Sequence, residues 1–153
     1  MIKQIKFVSV PVANQDRALD FYTEKLGFTI ITDQRFDDKQ RWIELRVPKA
    51  EKRVVLFTTD DDKNRIGTFM NMSYTCDDLQ KTYEELRKRG VEFENPPKKE
   101  HWGNFAIFKD SEANRFVLGD YSDPALANAG LSVPDAETGS GASQKFDHSV
   151  CRA

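Results

Sequence analysis

Histidine and cysteine are scarce in this sequence, two of each in 153 residues. His148 and Cys151 both fall in the last six positions, which leaves His101 and Cys76 for the body of the chain. Two cysteines so placed exclude a disulfide framework and make a reducing cytoplasm the expected compartment. A His-rich metal centre inside the fold is excluded by the same count, because such sites draw several ligands from His, Cys, Asp and Glu. Apolar runs are short: none approaches the roughly 18 residues a membrane helix needs, and MIKQIKFVSV lacks the shape of a signal peptide. Charge of one sign is also missing. The formal net charge is −2, so bulk electrostatics draw the chain neither to nucleic acid nor to an anionic membrane. There is no Gly-rich phosphate loop and no G-x-S-x-G elbow. What the chain does have is aromatic mass, eleven Phe and two Trp, enough for a core and for an apolar binding surface.

The pattern along the chain is a repeat. IKFVSVPV (5–12) alternates as a strand does, with Val8, Val10 and Val12 on one face. Asn14 follows as a helix N-cap, then QDRALDFYTEKLG, in which Ala18, Leu19, Tyr22 and Leu26 fall at helical spacing and Gly27 stands at the C-cap position. FTIITDQ (28–34), RWIELRV (41–47) and RVVLFTT (53–59) read as strands separated by polar turns. The same order then recurs: TFMNMSYT (68–75), a helix capped by Asp77 or Asp78 and ending at Gly90, and strands at 91–95, 104–110 and 114–120. Adding 64 carries Val12-Ala13-Asn14 onto Cys76-Asp77-Asp78, and adding 63 carries Gly27 onto Gly90. Adding 61 carries Val55-Leu56-Phe57 onto Phe116-Val117-Leu118. The expectation is an α+β domain over 1–121 made of two tandem βαβββ units, about 4–60 and 67–121. Residues 122–153, rich in Pro, Gly, Ala and Ser, read as a flexible tail.

The opening PVAN-x-DRAL-x-FY-x-x-x-LGF and the late FKDSEANRFVL, in order around an internal repeat, resemble the vicinal oxygen chelate superfamily. That group includes glyoxalase I, bleomycin-resistance proteins, fosfomycin-resistance enzymes and extradiol dioxygenases. The resemblance covers about residues 4–120. It implies a curved mixed sheet or open barrel around a small-molecule cleft, with helices outside, and a homodimer. Metal-using members place one His or Glu on the first and last strand of each unit. Carried over one at a time, those positions fall on Phe7, Leu56, Asn71 and Val117, none of which is a His or a carboxylate. No metal and no cofactor is therefore expected.

Strand alternation supplies the candidate site. One alternate set, Val8, Val10, Val12, Ile43, Leu45, Val47, Val55, Phe57, Met70, Met72, Tyr74, Phe116 and Leu118, is apolar and suits a helix-covered face. The other set is mixed, as small-molecule sites are: Phe7, Ser9, Trp42, Glu44, Arg46, Leu56, Thr58, Asn71, Ser73, Arg115 and Val117. Glu44 beside Trp42 is a candidate acid–base group whose pKa desolvation would raise; the alternative is a carboxylate paired with Arg46 or Arg115 at a solvated rim. His101 is a candidate base or gate, or an exposed loop residue. Trp42 and Trp102 are candidates to stack on a planar ligand, and Ser9, Asn71 and Ser73 to hydrogen-bond it. Cys76, near a helix N-terminus, is either a nucleophile or packed beneath the helix. The resulting expectation is a protein that binds a small organic molecule without the family metal. The alternative is a glyoxalase-like lyase or dioxygenase-type enzyme using metal-free acid–base chemistry or a displaced metal site.

Overall fold

A computed structural model describes residues 1–35, 37–101 and 103–120. Trp102 as a stacking residue and the expected flexible tail at 122–153 lie outside the described residues. The order of elements is β1 (Phe7–Val10), α1 (Gln15–Asp20) running on into a π-helical segment (Phe21–Lys25), β2 (Thr29–Arg35), β3 (Arg41–Arg46) and β4 (Arg53–Leu56). A 3₁₀ segment (Asp60–Arg65) leads to β5 (Phe69–Cys76), α2 (Leu79–Lys88), β6 (Glu92–Phe93), β7 (Lys98–Glu100), β8 (Gly103–Lys109) and β9 (Arg115–Asp120). The helix starts follow the sequence signals. Asn14 accepts from Arg17 N and Asp78 accepts from Lys81 N, each satisfying a donor left over by the first turn. Gly27 and Gly90 follow the two helices at φ of +75° and +78°, the left-handed conformation that closes a helix and that only glycine adopts without strain.

Two mixed sheets result, ordered β1-β4-β3-β2 and β5-β9-β8-β6, with β7 also on β8. The outer strands β1 and β5 run parallel to β4 and β9, and the remaining pairs are antiparallel. Both sheets place the same four strands in the same order, so the repeat is built twice, and no barrel closes. Where the first unit has the single long edge strand β2, the second has β6 and β7, interrupted at Asn95-Pro96-Pro97. Proline has no N–H to give the ladder, so the edge breaks there. The short strand β7 escaped the sequence reading because KKE carries no alternation.

One apolar core serves both units. Val10, Ile43, Leu45, Val54 and Leu56 cluster with Ala18 from α1 and Phe21 and Tyr22 from the π-helical segment, and Met70, Ala106, Phe108, Phe116 and Leu118 with Leu79 and Leu86 from α2. The Phe28 and Tyr74 rings, 5.9 Å apart, join the two halves. Val8, Val47, Met72 and Tyr74 pack on the same cluster, as alternation predicts.

A polar latch pins the second unit to the first. Asn114 is fully buried; its side chain donates to Pro11 O and Asp110 Oδ2 and accepts from Gly67 N. Asp110 also accepts from the Tyr22 hydroxyl and from the backbone N–H groups of Glu112 and Asn114. Glu112, its side chain 2% exposed, pairs with Arg17 at 2.6 Å and accepts from Ala13 N. Burial drives the Asp110 pKa up even against those hydrogen bonds, and burial pushes the Tyr22 phenol well up. The motif FKDSEANRFVL is therefore the clamp between the units. Its Ala113 sits at φ +61°, a position that favours glycine.

Candidate functional site

Across β1, β4 and β3, residues opposite one another share a face. Val10, Leu56 and Ile43 form one row, and all are in the core. Ser9, Val55 and Glu44 form the neighbouring row on the opposite, open face, followed by Phe7, Arg53 and Arg46. Towards the other end of that face the Trp42 and Phe57 rings meet at 5.5 Å, and the Phe7 ring, which starts from the arginine row, meets Trp42 edge-on at 5.3 Å.

This register corrects the sequence reading of β4. Leu56 is fully buried on the helix-covered face and does not line the open one; Val55 and Phe57 exchange faces with it. RVVLFTT is apolar at both parities, so alternation alone could not orient it. The correspondence between the units is +62 and not +61: Val10 faces Leu56 as Tyr74 faces Leu118, and Val10 + 64 is Tyr74 while Leu56 + 62 is Leu118. Thr58 likewise turns inward, exchanging hydrogen bonds with the Val12 backbone.

The corrected offset exposes a residue the sequence reading missed. Arg53 + 62 is Arg115, so each open face carries an arginine at the same place, opposite Phe7 in one unit and Phe69 in the other. Arg53 pairs with Glu44, whose side chain is 6% exposed. Glu44 thus has a charged partner within its own sheet, from a strand position other than the Arg46 or Arg115 considered from sequence. Arg115 pairs with Glu94 at 3.6 Å and lies over the Phe69 ring.

The second open face is otherwise less polar. Val117, Ile107 and Phe105 occupy the places of Val55, Glu44 and Trp42. Ser73 is exposed there and corresponds to Ser9. Asn71 departs from the regular strand. The β5–β9 register shifts between Phe69 and Ser73, and Asn71 takes φ +49° within that bulge, so Phe69 and not Asn71 stands opposite the arginine as Phe7 does. His101 is exposed immediately after β7, in the second sheet, whereas Glu44 belongs to the first. The structure shows no contact between these two candidates. Cys76 donates its thiol to Gly119 O, and burial pushes its pKa up, the setting of a packed thiol and not of an activated one.

The Trp42 indole nitrogen is shielded from solvent and has no hydrogen-bond partner among the described residues. A buried donor left unmade is costly, and a ligand acceptor reaching Trp42 would relieve it. Among the described residues no group of three or more His, Cys, Asp and Glu comes together as metal ligands do, and no helix is long and apolar enough to cross a membrane.

Comparison with known proteins gives the class. The family model described as Glyoxalase/Bleomycin resistance protein/Dioxygenase superfamily matches residues 4–118. The chain belongs to that superfamily. It is 37% identical over 118 residues to the protein YetH of Bacillus subtilis, covering 77% of this chain and 98% of that protein. The crystal structure of TnmS3, an antibiotic binding protein from Streptomyces sp. CB03234, is similar at a TM-score of 0.69 and 29% identity, covering 78% of this chain and 96% of that one. A superfamily member from Sphaerobacter thermophilus is similar at a TM-score of 0.70 and 28% identity, covering 78% and 98%.

Proposed function

We propose that this chain binds a small organic molecule on the open face of its first sheet and uses no metal at the family position. The observation that supports this best is the chemistry of the paired positions. With the register corrected, the places that metal-using relatives give to His or Glu hold Phe7, Val55, Phe69 or Asn71, and Val117. Hydrocarbon at most of these positions disfavours a bare cation. An aromatic cluster with a buried carboxylate beside it, paired to a partly exposed guanidinium, suits an organic ligand. The likeness to an antibiotic binding protein supports the same reading. Glu44 enters it as a binding group held by Arg53, with Ser9 and Trp42 as its neighbours on the face. Ser9 and Arg46 on this face are exposed in a single chain, which suits a homodimer whose second copy flanks it, and the scarcity of cysteine suits the cytoplasm.

A thermal-shift screen against aromatic and glycopeptide compounds tests the reading. A ligand that binds only the folded chain, at a hundred times its Kd, adds about 2.7 kcal/mol of stability, a rise of roughly 10 °C for a domain of this size. Ni²⁺ or Zn²⁺ leaves the melting temperature unchanged. Stoichiometric metal retained by the purified protein at the family position sinks the proposal.

A further inference from the structure

The two open faces carry their basic residues at matching places but neutralise them differently. Opposite Arg115 on β9 stands Lys109 on β8, and each has its own carboxylate: Glu94 at 3.6 Å and Glu92 at 2.7 Å. At the same place in the first sheet Arg53 stands opposite Arg46, and only Arg53 is paired with a carboxylate, Glu44. Arg46 is exposed and has no partner among the described residues. Like charges directly opposite on neighbouring strands repel, so this rung is electrostatically incomplete where its counterpart is complete. The imbalance is local: it leaves one positive charge at Arg46, two positions beyond Glu44 on the same face of β3.

Trp42 and Arg46 are four residues apart on one strand, which places their Cα atoms about 13 Å apart, with Glu44 midway. From this we infer that the ligand of the first sheet is an aromatic anion. Its ring system packs on Trp42 and Phe57, and its carboxylate, sulfonate or phosphate completes the Arg46–Arg53 rung. The inference deepens the ligand-binding reading above and rests on it. A guanidinium presents a planar fork of donors to an oxyanion, so Arg46 selects for such a group and not merely for negative charge at a distance.

The test compares biphenyl-4-carboxylate with its neutral isostere biphenyl-4-carboxamide, by calorimetric titration of the full chain. The carboxylate binds about tenfold more tightly at low salt, and the difference shrinks as salt is raised. Arg46→Gln removes the preference, leaves carboxamide affinity unchanged and does not lower the melting temperature, because it removes an exposed charge that faces Arg53 and has no hydrogen-bond or ion-pair partner among the described residues. Arg46→Lys keeps part of it. Equal affinity for the two probes overturns the anionic subsite while the ligand-binding reading stands. A preference that survives in Arg46→Gln also overturns it. Binding of neither probe overturns both this inference and its aromatic premise. A dimer that Arg46→Gln dissociates, with no probe bound by either protein, assigns the rung to a carboxylate of a second copy and overturns the inference too.

Discussion

Replacing Asn114 by alanine tests whether the polar latch holds the two units together. The side chain is fully buried and makes three hydrogen bonds, to Pro11 O, to Asp110 Oδ2 and from Gly67 N. Those partners belong to the end of the first strand, the turn before β9 and the linker before β5. Alanine removes all three bonds, which takes the Asn114 partner from Pro11 O and Gly67 N and leaves Asp110 Oδ2 with the Tyr22 hydroxyl. Two neutral groups stranded in a largely dry site cost about 1 kcal/mol each, and the bond to the carboxylate about 2 kcal/mol, so the loss is on the order of 4 kcal/mol. Domains are typically stable by about 5–15 kcal/mol, so the variant is weakened but measurable. Urea unfolding followed by tryptophan fluorescence reads it as a midpoint lowered by about 2 M, for a slope near 2 kcal/mol/M. Tyr22→Phe, which removes only the hydroxyl bond to Asp110, loses about 2 kcal/mol. The two losses fail to add in the double variant, because both act through one carboxylate. A loss below about 1 kcal/mol in Asn114→Ala, or strict additivity, refutes the latch.

Three further outcomes follow from the same geometry. Ala113→Gly stabilises the chain by about 0.5–1 kcal/mol, since φ +61° strains alanine more than glycine loses in chain entropy; an unchanged urea midpoint counts against the strain. The Asp110 pKa is raised in the folded state from its ordinary 3.8, so the folded chain binds that proton first as pH falls. The stability it contributes is therefore greatest in acid and declines as pH rises from 3.8 through the raised folded value; the gap between wild type and Asp110→Asn narrows over that window, and a widening gap contradicts the sign. Arg53→Met leaves Glu44 buried without its partner and costs about 1–2 kcal/mol, discounted because Arg53 is about one-third exposed. Glu44→Gln in that background restores most of the loss, and denaturant midpoints of the single and double variants measure it.

The sequence made the doubled unit, both helix caps and most of the covered face legible, because each rests on a strong local rule. Alternation at Val8-Ser9-Val10 and at Trp42-Ile43-Glu44-Leu45 separates the faces without ambiguity. At Val54-Val55-Leu56-Phe57 there is nothing to alternate, and the face is set by pairing with Val10 and Ile43, a tertiary fact. That one-residue slip also hid Arg53 behind a wrong offset. Asn71 was assigned by counting through a strand that the structure bulges, which counting cannot anticipate. The partner of Glu44 is hidden for a related reason: the sequence offers Arg46 or Arg115, and only the β3–β4 register brings Arg53 beside it.

The clamp between the units has a consequence for the covalent chain. Asp60–Arg65 contains no buried residue, and the contacts that hold the halves are side-chain bonds and a common core lying elsewhere. Gly67, whose N–H belongs to the latch, lies beyond that segment. A protein severed within 60–65 therefore keeps the common core and the Tyr22–Asp110, Asn114–Pro11 and Arg17–Glu112 bonds, none of which uses a residue of that segment, and the expected outcome is that the two pieces stay together on size exclusion.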